Sequence, residues 1–254
     1  MKRFYALLGL EFAGLFPPLC ALVGVMAALE AVLYGLALWN VEKNVPFTYL
    51  IDSSGIAFVF VLAMAVLLTL VALRFAQNYA PSKSIYALLT LPVRRERVYF
   101  AKLIASLLAG FCVVAAQLAL LLLALTAYAR IPVIGVYPPQ HRSDGKNAIL
   151  YLALLDSRFL RLLVPPDAFS LAFSLSILCG AVCLTLSVSA RVRAGLTVRV
   201  VVMAAVWLSL VSFTFPLTDY KLWHSVVKLV LFIIIPFAAS VAGARVFRSG
   251  EATA

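Results

Sequence analysis

Residues 103–129 form a run of 27 positions without one charged side chain. Crossing hydrocarbon as a helix takes about 20 apolar residues, so this run can span a bilayer and still tilt or project beyond it. Five more runs share the pattern: Leu19–Trp39 (broken only by Glu30), Ile56–Leu73, Ala168–Ala190, Val200–Leu217, and Leu222–Ala244 with Lys228 near one end. None alternates with period two, which excludes a porin-like barrel. The expected fold is all-α: one transmembrane domain over 1–254 with six transmembrane helices.

Composition agrees. Apolar residues make up 65% of the chain and charged ones 12%, against about 45–50% and about 25% in soluble domains. A core of this size cannot hide that much apolar surface. A soluble enzyme, a disordered tail and a secreted disulfide scaffold are all excluded. Cys20, Cys112, Cys179 and Cys183 lie in or beside apolar runs without CxxC spacing and read as small buried residues.

The net charge of +11 belongs to membrane orientation rather than to nucleic acid. With six spans, one side receives thirteen Lys/Arg against Glu11, Glu96 and Glu251, and the other eight against six acids. The positive-inside rule then puts both termini in the cytoplasm and makes the chain a multi-pass protein of the cytoplasmic membrane. Met1-Lys2-Arg3 resembles the start of a signal peptide. Glu11 interrupts its apolar stretch, however, and the run after Pro17-Pro18 is too long, so the segment reads as mature chain.

Residues 1–16 place Phe4, Leu7, Leu8, Phe12 and Leu15 at helical spacing, with Glu11 at the i+7 position of that face. This predicts an amphipathic helix in the inner interface, ended by Pro17-Pro18. The outer loop 131–167 opens with turn residues and continues over 149–164, where Leu152, Leu155, Phe159 and Leu162 share a face. As a span, that stretch would hold Asp156, Arg158 and Arg161 in mid-membrane at about 2.5–3.5 kcal/mol each. It reads instead as an amphipathic helix on the outer surface. Trp39, Tyr49, Tyr220 and Trp223 fall at the outer boundary, as interface anchors do.

Most familiar chemistry is missing from the sequence. There is no G-x-x-x-x-G-K-[ST] phosphate loop, no H-E-x-x-H and no G-x-S-x-G. His141 and His224 have no supporting ligand pattern, so no metal site is expected. The chain reads as a non-enzyme that binds no cofactor of its own.

The informative segment joins the second and third runs. Ser82 or Ser84 can cap a short helix bearing Ile85, Leu88 and Leu89, and Pro92 breaks it. Arg94, Arg95, Glu96 and Arg97 then make a charged knuckle before Val98, Phe100 and Leu103 lead into the membrane. A short helix along the inner surface is expected. A simple positive-inside anchor fits the same residues.

The string Tyr86-Ala-Leu-Leu-Thr-Leu-Pro-Val-Arg-Arg-Glu-Arg-Val-Tyr-Phe-Ala-Lys-Leu103 resembles the signature of permease subunits of type-2 ATP-binding-cassette (ABC) exporters. In those proteins a tyrosine and an "-LPV-R-" turn precede a lysine that begins the third of six spans. Specific likeness covers about twenty residues, while length, the N-terminal helix and cytoplasmic termini match over the whole chain. The resemblance implies a cytoplasmic coupling helix that docks on a separate ATPase subunit, with Leu91, Pro92, Arg94, Arg95, Glu96 and Arg97 as its candidates and Glu11 in a second contact. It further implies two ATPase copies holding ATP and Mg, a second permease chain (identical or homologous), and a bacterial cell membrane. One departure is the large loop between spans three and four, since many relatives elaborate the segment after span five, here only Thr218–Lys221.

Two further groups of residues admit two readings each. Arg191 and Arg193, beside Gly195 in the loop after the fourth run, fit either a second cytoplasmic contact or a plain positive-inside mark. Glu30, Tyr34 one turn later and Gln117 in mid-span fit a translocation path. They also fit, and somewhat better, a protonated glutamate hydrogen-bonded within the bundle as interhelical glue, with Gln117 as a candidate partner. A stand-alone secondary transporter or channel would call for ionisable groups on several spans and paired broken helices, and only Glu30 is central. A non-transporting sensor or immunity protein would share the same shape.

Overall fold

A computed structural model describes residues 2–40, 47–77, 95–130, 157–164, 168–191 and 241. The elements are α1 (Lys2–Trp39), α2 (Phe47–Ser54), α3 (Ile56–Gln77), α4 (Arg95–Arg130), α5 (Arg158–Leu163) and α6 (Ala168–Arg191). All are helices, and no strand occurs among the described residues. Three stretches, Phe4–Trp39, Ile56–Phe75 and Arg97–Tyr128, are long and apolar enough to cross a membrane. The runs at 200–217 and 222–244 lie outside the described residues, apart from Val241.

The expected break at Pro17-Pro18 is not there. α1 is one helix of 38 residues with both prolines inside it, so 1–16 is not a separate interfacial helix. At about 1.5 Å per residue it is roughly 57 Å long, well beyond the hydrocarbon thickness of about 30 Å. Proline's fixed φ is compatible with a helix; its cost is the missing N–H and the crowding of the preceding turn. Pro18 therefore leaves the carbonyl of Gly14 without its usual donor, and the guanidinium of Arg74 donates to that oxygen instead. Neighbouring groups that re-satisfy freed carbonyls are what let apolar helices carry proline.

The third run likewise begins earlier than its apolar stretch, since α4 starts at Arg95 and continues unbroken for 36 residues. One helix absent from the expectations is α2, in the connection between the first two runs. Phe47, Leu50, Ile51 and Ser54 are its buried residues, at i, i+3, i+4 and i+7. Gly55, at φ 77°, makes the turn between α2 and α3, in a backbone region that glycine enters without a Cβ penalty.

The chain forms two compact units: Met1–Cys20, Met64–Phe111 and Leu175–Ala254 in one, Ala21–Ala63 and Cys112–Ser174 in the other. In the first, Leu7 of α1 and Val98 and Ala101 of α4 make a buried cluster with Phe4 packed on it. Ala101, Ala105 and Ala109 are fully buried at a spacing of four, and such small residues let helices approach closely. Gly110 does the same toward α6, since a Cβ there would lie 3.1 Å from Leu178 Cδ1.

In the second unit, Phe47 packs on Tyr128 with ring centroids 5.3 Å apart, and Phe60 on Phe159 at 5.7 Å. Ser157 caps α5 by accepting from the Leu160 N–H, and its hydroxyl donates to Asp52 Oδ1 at 3.1 Å. The described part of the expected outer helix is thus anchored, with Phe159 and Leu160 buried. Leu152, Leu155 and Asp156 lie outside the described residues, as does most of the outer loop. Trp39 and Tyr49 are exposed.

Candidate functional site

Two polar groups on the buried stripe of α1 find partners on α4. In the first unit this is Glu11, whose carboxylate accepts from Lys102 Nζ at 2.7 Å. The same ammonium lies 5.9 Å from the centre of the Phe75 ring. Lys102 is nearly buried, at 8% exposure, and its carbonyl accepts from the hydroxyl of Ser106 one turn on. Glu11, singled out as a contact for a cytoplasmic partner, is therefore engaged within the chain.

In the second unit the partners are Glu30 and Gln117. The Gln117 amide donates from Nε2 to Glu30 Oε2 at 3.0 Å. Both side chains are buried, at 4% and 0% exposure. Tyr34, one turn beyond Glu30, donates its hydroxyl to the carbonyl of Ala124 at 3.0 Å. The partners rise in number together, 30 with 117 and 34 with 124. Within this unit α1 and α4 therefore lie side by side and run in the same direction. The structure thus brings Glu30, Tyr34 and Gln117 together on one seam, as the pattern allowed, and buries them inside the chain.

The coupling residues are placed less completely. Leu91, Pro92, Arg94 and Arg193 lie outside the described residues. Arg95 and Glu96 open α4, Arg97 follows on its exposed surface, and Arg191 closes α6. Arg95, Glu96 and Arg97 belong to the same helix as the third apolar run.

Two residues were missed as site members. Lys102 reads from sequence as the flank of a span, although its position two turns before Ala109 on a small-residue stripe marks a buried side. Arg74 reads as the inner end of the second run. The signal for it was Pro18, which frees a carbonyl that some donor must reach. Among the described residues no three His, Cys, Asp or Glu side chains gather as metal ligands, and no disulfide joins the four cysteines. Comparison with protein-family models, with characterised proteins and with solved structures gave no match.

Proposed function

We propose that this chain is the transmembrane permease subunit of an ATP-driven ABC exporter of the bacterial cytoplasmic membrane. It would pair with a second permease chain and with two cytoplasmic ATPase subunits that hold the ATP and Mg. The observation that carries this reading is the segment Tyr86–Leu103, whose proline turn, arginine cluster and lysine lead straight into a long apolar run. The extent of α4 supports it: Arg95–Arg97 lie on the same helix as the third apolar run. The Lys102–Glu11 pair, tying α1 to α4 in the first unit, supports it further. In this reading ATP binding closes the ATPases, the coupling helix carries that closure into α4, and α1 follows as part of one rigid-body shift.

The chain itself performs no bond chemistry. Charge reversal at the knuckle tests the reading: Arg95→Glu together with Arg97→Glu, in the assembled complex, should leave ATP hydrolysis running while transport falls at least tenfold. Transport that survives the double change removes the docking role from these arginines.

A further inference from the structure

The seam between α1 and α4 in the second unit holds two buried oxygens to which nothing donates: Glu30 Oε1 and Gln117 Oε1, each without a hydrogen-bond partner among the described residues. They belong to the two side chains already joined by the bond from Gln117 Nε2 to Glu30 Oε2. An ionised Glu30 would thus keep a full charge in an apolar stretch with a single donor, and would leave an amide oxygen bare beside it. Buried polar groups left unsatisfied are costly, and a mid-membrane charge more so.

A neutral donor such as water can bond these oxygens but would leave the charge in place; answering the charge as well takes a basic side chain, a metal ion or a proton. No ion pair reaches Glu30 among the described residues; the pair that is present joins Lys102 to Glu11. The other titratable or charged side chains described in this unit are Tyr34, Tyr49, Asp52, Cys112, Tyr128 and Arg161. Of these, only the phenols of Tyr34 and Tyr128 are buried, and the Tyr34 hydrogen is committed to Ala124. A hard cation such as calcium needs roughly six to eight oxygen ligands, and the seam offers two free ones, with no cluster of acidic side chains among the described residues.

We infer that Glu30 and Gln117 together form a proton-binding site. The proton sits on Glu30 Oε1 and is donated to Gln117 Oε1, closing a ring of two hydrogen bonds between a carboxylic acid and a primary amide. Each side chain then gives one donor and one acceptor, so a single proton answers both orphan oxygens and removes the charge. The ring exists only while α1 and α4 keep their register, so parting the two helices and releasing the proton to water become one event. This inference needs only the two helices and does not depend on the permease reading.

Infrared spectroscopy of the full chain in lipid nanodiscs at neutral pH tests it. The expected result is a protonated-carboxyl C=O band that moves on labelling with carbon-13 glutamate, not aspartate, and is lost in Glu30→Gln. Gln117→Leu should shift that band to higher frequency, because the carbonyl loses its donor. Should Glu30→Gln fail to fold, the glutamate-labelled band and its response to Gln117→Leu carry the test. A wild-type spectrum without such a band overturns the proposal, as does a band that neither variant alters. A melting temperature raised by sodium or lithium in the wild type but not in Glu30→Gln also overturns it, since a metal ion would then take the proton's place.

Discussion

Arg74 donates to the carbonyl of Gly14, the oxygen that Pro18 strips of its helical donor. The two residues lie on different helices, and together they show how α1 answers the carbonyl that Pro18 frees. Gly14 also makes room, since a Cβ there would lie 2.5 Å from Arg74 Nη1. Removing Arg74 should therefore leave a carbonyl in an apolar helix without a partner, at a cost of about 1 kcal/mol because the pair is exposed. Thermal melting of Arg74→Ala in detergent checks this, and the loss should shrink in the Pro18→Ala background, where the backbone N–H returns. Equal losses in both backgrounds would separate Arg74 from the proline.

Glu11 and Lys102 should behave as a pair. Their side chains are 16% and 9% exposed, between the exposed case of about 0–1 kcal/mol and the buried case of about 3–5 kcal/mol. Either Glu11→Gln or Lys102→Met should thus lower stability by about 2 kcal/mol. The swapped chain, Glu11→Lys with Lys102→Glu, should recover part of what Glu11→Lys alone loses. Unfolding curves of the four chains read this directly, and no recovery in the swap would mean that the ion pair contributes little.

Tyr34→Phe should be milder. It removes one hydrogen bond, to the carbonyl of Ala124, while keeping the ring buried, so about 1 kcal/mol is expected. Thermal melting in detergent measures it. A loss several times larger would mean that the hydroxyl serves more than that carbonyl.

Ser157 has two bonds to lose. It caps α5 and donates to Asp52, so Ser157→Ala should cost about 1–2 kcal/mol. Ser157→Asp keeps a capping oxygen but faces the carboxylate of Asp52, and should be the worse of the two. Proteolysis rates at the 157–164 segment would order them.

How much of this could be read beforehand differs by element. The charge-free stretches of α3, α4 and α6 are visible as helices because the requirement for about 20 apolar residues is a composition rule, insensitive to packing. Ends are less visible: α4 extends back to Arg95 because nothing between Arg95 and Leu103 breaks a helix, although those residues are not apolar. The prolines of α1 misled, since the rule that proline stops a helix assumes that the freed carbonyl stays unpaired, and here Arg74, sixty residues away, reaches it. The short α2 was legible in the spacing of Phe47, Leu50, Ile51 and Ser54, but eight residues fall below the length at which periodicity separates a helix from a loop. The Glu30–Gln117 bond was foreseeable as chemistry, because a mid-span carboxylate needs a partner. Glu11 with Lys102 was not, because both sit near predicted boundaries where water would serve them.

The most direct test of the permease reading is purification of the tagged full chain from its native host in mild detergent, with mass spectrometry of the assembly. The account predicts an ATPase subunit bearing a G-x-x-x-x-G-K-[ST] phosphate loop, near one copy per permease chain. A chain that comes out alone, in detergent that keeps other membrane complexes whole, would contradict it.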